Sequence, residues 1–141
     1  MNGKPPAAVL FYGFAGLIPF FAPPVLSWLF PEQRPIFEQA LLWWAAIILS
    51  FLGGARWGAA VQRPAPDAGL IGLTMLPSIF AWCALLAPLA LQLRVVILVV
   101  AFALVLLWDR QSGGLPGWYG WLRERLTVLA SVGLLGQLLV S

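Results

Sequence analysis

Arg56 is the residue most out of place in this sequence: a guanidinium inside the apolar run Ser50-Phe51-Leu52-Gly53-Gly54-Ala55-Arg56-Trp57-Gly58. A charge within a membrane span is costly and marks a polar site, an ion pair or a path. Two readings stay open. Arg56 lies seven residues before Arg63, about 10 Å along a helix, so its head can snorkel to the inner headgroups. Alternatively it pairs with Asp109, which closes a later apolar run, since an Arg–carboxylate pair cancels two costly charges. Arg110, next to Asp109, competes for the same carboxylate. Ser50, and Ser78 beside the kink at Pro77, add hydroxyls but no acid–base pair.

The missing residue types exclude most catalytic chemistry. There is no His and a single Cys, Cys83. His-ligated haem, the usual zinc sites and the Ser-His-Asp and Cys-His pairs are therefore absent. Cys83 has no disulfide partner and lies in an apolar run, where it is expected to pack as a small hydrophobe. There is no phosphate-binding glycine loop. No catalytic residue, metal or cofactor is expected, and the chain reads as a non-enzyme.

The elements that hold Arg56 and Asp109 must be membrane helices. The chain is 62% apolar and 9% charged, whereas a soluble domain is about a quarter charged. A helical span needs about 20 mainly apolar residues, and five stretches approach this: about residues 6–30, 37–61, 68–89, 91–108 and 122–140. The expected fold is an all-α integral membrane protein, a single domain forming a bundle of about five transmembrane helices. The first stretch is a retained span, with no cleavage site after its apolar core. Pro19 and the Pro23-Pro24 pair are expected to kink or end it, leaving residues 25–30 along the interface.

Charge sets the expected orientation. With the N-terminus inside, Lys4, Arg56, Arg63, Arg110, Arg123 and Arg125 fall on the inner side and only Arg34 and Arg94 on the outer. Five spans then put the C-terminus outside. The polar stretch 109–125 is expected to lie on the inner membrane surface. Within it Gln111-Ser112-Gly113-Gly114 reads as a flexible turn, and Trp57, Arg110, Trp118, Tyr119, Trp121, Arg123 and Arg125 are candidates for contact with a partner or an anionic lipid. Trp28, Trp43 and Trp44 fall toward the outer interface. The basic residues sit at span ends and build no face for nucleic acid.

Gly53, Gly54 and Gly58 are the strongest packing signal, because small residues four apart let two helix backbones approach closely. Packing within the bundle is the favoured use, and contact with another chain the alternative.

The run Leu49-Ser50-Phe51-Leu52-Gly53-Gly54-Ala55-Arg56-Trp57-Gly58 resembles the central motif of the domain of unknown function 3429 family, small transmembrane protein 69-like membrane proteins in which His or Arg often precedes Trp-Gly. Leu76-Pro77-Ser78, Asp109-Arg110 and Gly117-Trp118-Tyr119 through Leu126-Thr127 resemble its later landmarks in order. The resemblance spans about residues 6–132. It implies a bacterial cytoplasmic-membrane protein, or a mitochondrial inner-membrane one in a eukaryote, and no particular activity.

The leading functional expectation is an accessory or assembly subunit docking against a larger respiratory or photosynthetic membrane complex. Its partners would be the bilayer, other membrane subunits or a second copy of itself. The alternative is a small oligomeric transporter or channel with a polar site at Arg56 and Asp109. The third and fourth stretches offer little of the polar stripe that a water-filled path needs.

Overall fold

The computed structural model describes residues 3–86, 88–111 and 116–141. Every regular element among them is helical. In chain order these are α1 (Ala7–Ala15), α2 (Ile18–Leu29), a 3-10 turn (Pro31–Gln33), α3 (Arg34–Val61), α4 (Ala68–Leu73), α5 (Leu76–Leu86), α6 (Leu91–Gln111) and α7 (Gly117–Val140). Four stretches are long and apolar enough to cross a bilayer: Ala7–Leu29, Pro31–Val61, Ala68–Leu86 and Leu91–Gln111. The fifth expected span is not among them, because Arg123, Glu124 and Arg125 interrupt the apolar run of α7. The 24 residues of α7 nonetheless pack into the bundle against α2 and α6.

Two spans are broken helices, and proline places both breaks. A helical proline clashes with the carbonyl four residues back. Pro19 has that relation to Ala15, where α1 ends, and Pro77 has it to Leu73, where α4 ends. Asp67 starts α4 as its N-cap, its Oδ1 accepting the Gly69 N–H at 2.9 Å. The Pro23-Pro24 pair does not end the first span as expected. Helix α2 runs on to Leu29, with both prolines buried. Broken backbone at membrane depth is tolerated where protein covers it. Pro24 has no N–H to offer the Phe20 carbonyl, and Gly133 of α7 lies against that carbonyl: a Cβ on Gly133 would stand 2.5 Å from it. Gly53 of α3 stands in the same way against the α4–α5 break, where a Cβ would be 2.7 Å from the Thr74 carbonyl.

Helix α3 is the centre of the bundle and touches α2, α5 and α6. Its 28 residues extend about 42 Å, more than a hydrocarbon core needs. Leu41, Ala45 and Leu49 of α3 and Val95, Leu98 and Phe102 of α6 form the core with Phe20 of α2 and Leu134 of α7. The Phe20 and Phe102 rings meet edge to face at 5.9 Å. Trp44, expected at the outer interface, instead donates its indole N–H to the Gly16 carbonyl at 2.9 Å, satisfying an acceptor at the α1–α2 break.

The described parts of the stretch 109–125 belong to two bundle helices rather than to a separate surface segment. Asp109, Arg110 and Gln111 continue α6, and α7 begins at Gly117. The turn read at Ser112, Gly113 and Gly114 lies outside the described residues.

Gly133→Ala is expected to lower the unfolding midpoint in detergent, since overpacking typically costs about 1–3 kcal/mol. Gly136→Ala, on the same helix with no neighbouring atom within 4 Å, should leave the midpoint unchanged or raise it. Equal midpoints for the two variants would contradict the close α2–α7 approach.

Candidate functional site

Three helices each carry an inward stripe that is apolar for most of its length and turns charged at one end of the bundle. On α3 the stripe runs Leu49, Leu52, Gly53, Arg56, Ala60; on α6 it runs Val95, Leu98, Phe102, Val105, Asp109. On α7 it runs Arg123, Thr127, Ala130, Gly133 or Leu134, and Gln137. Steps of three and four keep one helix face inward, so these charges are as buried as the core beside them. Arg56 is 5%, Asp109 9% and Arg123 4% exposed.

The Asp109 carboxylate bridges the two guanidiniums. Arg56 Nε donates to Oδ1 at 2.5 Å, and Arg123 Nε donates to Oδ2 at 2.9 Å. Arg56 Nη2 also reaches the Asp109 backbone carbonyl at 3.4 Å. Arg123 Nη1 donates to the Thr127 hydroxyl at 3.0 Å. The cluster ties α3, α6 and α7 together where water does not compete, so each charge-assisted bond is stronger than at a surface. Its chemistry is that of a fixed electrostatic centre. Arginine offers only donors, and each carboxylate oxygen of Asp109 accepts from one of the two guanidiniums. No group of His, Cys, Asp and Glu among the described residues could hold a metal.

Arg56 and Asp109 were nominated together from sequence, and the structure places them in contact. Arg110 does not compete for Asp109: its Nη2 lies 3.4 Å from Glu124 Oε2, both side chains half exposed. Arg123 departs from its expected place among the interfacial residues, because it turns into the bundle. Arg125 stays outside, its guanidinium 4.2 Å above the Trp121 ring. Trp57 and Trp121 are exposed, and Trp118 and Tyr119 pack edge to face at 6.3 Å. Cys83 is exposed on α5 rather than packed.

The glycines divide. Gly53 packs against the α4–α5 break, whereas Gly54 and Gly58 have no neighbouring atom within 4 Å of where a Cβ would stand. The favoured reading of Gly54 and Gly58 as an internal contact is therefore corrected: this pair faces out of the bundle. Ser50, four residues earlier, is exposed and shares a 3.0 Å hydrogen bond with Ser78.

Sequence reasoning did not single out Arg123 and Thr127 as partners within this cluster. The available signal was the spacing of Arg123 to Thr127 and Ala130, which continues the inward stripe. It also missed the buried link at the far end, where Gln137 donates to Ser27 at 3.0 Å.

A family described as Protein of unknown function (DUF3429) matches residues 5–139. Transmembrane protein 69 of Xenopus tropicalis is 36% identical over 140 residues, covering 96% of this chain and 55% of that protein. The protein of the same name from Mus musculus is 30% identical, covering 96% of this chain and 57% of its own length. This chain thus spans a little over half the length of these relatives. No solved structure matches it significantly.

Asp109→Asn strands two buried guanidiniums, and removing one partner of a buried pair costs about 3–5 kcal/mol. Arg123→Gln leaves the Arg56–Asp109 pair in place and should cost less. Membrane accumulation and the unfolding midpoint in detergent are expected to fall furthest for Asp109→Asn, less for Arg123→Gln, and hardly at all for the exposed Arg110→Gln. Equal behaviour of Asp109→Asn and Arg110→Gln would contradict the cluster.

Proposed function

The chain belongs to the DUF3429 family, and on that premise we propose that it is a non-enzymatic accessory or assembly subunit that docks sideways against a larger complex in its membrane. The observation that carries this reading is the outward row of small residues on α3. Ser50, Gly54 and Gly58 recur every four residues; Ser50 meets Ser78 of α5, and beyond it Gly54 and Gly58 face open space among the described residues. Exposed Ile47, Phe51 and Trp57 flank this row. Lipid tails give no hydrophobic drive for helix association, so membrane helices associate through close backbone approach and van der Waals fit, which such a row supplies.

The membrane on this reading is the bacterial cytoplasmic membrane, or the mitochondrial inner membrane in a eukaryote. The charged end of the bundle faces the cytoplasm or matrix, in keeping with six basic residues against two. A transport path through Arg56 and Asp109 has less support, because both side chains are buried and hold each other.

Affinity purification from native membranes in mild detergent, with sizing and mass spectrometry, tests the reading. A stoichiometric larger complex is expected. Gly54→Leu and Gly58→Leu should abolish co-purification while the variant chains accumulate normally. Recovery of the wild-type chain alone would contradict the proposal.

A further inference from the structure

Two guanidiniums share one carboxylate in the buried cluster, which leaves a surplus of one positive charge. The remaining acids lie elsewhere. Glu124 pairs with Arg110 at the surface and Asp67 caps α4. Glu38 and Glu32 precede Arg56 by 18 and 24 residues, so Glu38 is about 27 Å away along the helix. A charge in a low-dielectric interior is costly unless it is paired. The third nitrogen of Arg123, Nη2, is buried and has no hydrogen-bond partner.

Arg123 also lines a groove of about 480 Å³ between α1, α3 and α7. The groove walls are mostly apolar, with Tyr12, Tyr119, Arg123 and Thr127 as the polar side chains. Tyr12 and Phe51, 73% and 69% exposed, stand at its rim, so it opens sideways toward the acyl chains of a bilayer. Helix α1 covers it without sealing it, since no residue of α1 is buried. Exposed Trp121 and half-buried Trp118 sit within two turns of Arg123, and such aromatics favour the headgroup level.

We propose that this groove binds one anionic phospholipid of the surrounding bilayer. One acyl chain lies between α1, α3 and α7, and the headgroup phosphate offsets the surplus charge at Arg123. Charge complementarity selects the occupant: an apolar slot open to lipid, ending at a guanidinium with a spare donor, fits a monoanion carried on a hydrocarbon chain. A neutral or zwitterionic lipid would fill the slot and leave the charge uncompensated. Gly54 and Gly58 do not line this groove, although Phe51 stands between it and the α3 face they form.

The test uses the full chain, purified in an uncharged detergent and stripped of lipid. It is titrated with dioleoylphosphatidylglycerol or dioleoylphosphatidylcholine, and native mass spectrometry counts the single-lipid adduct. One basic side chain near a membrane surface is worth about 1 kcal/mol toward an anionic lipid, so a preference of at least about fivefold for phosphatidylglycerol is expected. Arg123→Gln should bring the two lipids to parity. Val9→Trp, on the groove wall formed by α1, should lose both adducts, and it carries the test if Arg123→Gln does not fold. Arg110→Gln should keep the preference. Parity in the wild-type chain, or a preference that survives Val9→Trp, would overturn the proposal. So would displacement of phosphatidylglycerol by an equimolar amount of oleate, which would assign the groove to a free fatty acid.

Discussion

The structure depends on one carboxylate held between two guanidiniums inside an apolar bundle. Asp109 has one oxygen on Arg56 and the other on Arg123, so a single side chain joins α3, α6 and α7. In an aqueous core such a cluster is weak evidence for stability, because the desolvation of three charges offsets their attraction. In a membrane helix bundle the consideration differs. Helices already inserted in lipid gain no hydrophobic drive from associating, and a mispaired bundle would leave these charges facing hydrocarbon. The cluster therefore acts on specificity: only one register of the three helices satisfies it.

Elsewhere among the helix contacts, shape takes the place of charge. Prolines break two spans, at Ala15 and at Leu73, and leave the Phe20 carbonyl inside α2 without the Pro24 N–H; glycines of neighbouring helices lie against the carbonyls of Phe20 and of Thr74 at the second break. Gly133 meets Phe20, and Gly53 meets Thr74. Each glycine is required by the absence of space for a Cβ, not by backbone conformation. The glycines keep carbonyls that proline leaves without a helical N–H, or that lie at a break, covered by protein rather than lipid.

Much of this architecture is legible in the sequence, and the gaps have physical causes. Apolar run length gives four of the spans, because lipid thickness leaves little freedom. Arg56 and Asp109 stand out together because each is an isolated charge in or at the end of such a run. Arg123 is hidden because Glu124 and Arg125 follow it, so it reads as one member of a solvated charge run. Only its spacing to Thr127 and Ala130 turns it inward. Gly53, Gly54 and Gly58 cannot be divided from composition, since all three are the same small residue within about one and a half turns. Their division depends on where the α4–α5 break falls against α3. The Pro23-Pro24 pair misleads in the other direction: a local rule predicts an end to the helix, and burial against α7 overrides it.

The most direct measurement is a double-mutant cycle on the cluster: Arg56→Gln, Asp109→Asn and the pair together, by reversible unfolding in mixed micelles. If the two side chains act as one buried unit, the double variant is less destabilised than the sum of the singles, with a coupling of about 0.5–3 kcal/mol. Additive effects would show that Arg56 and Asp109 do not depend on each other, and the central claim would fail.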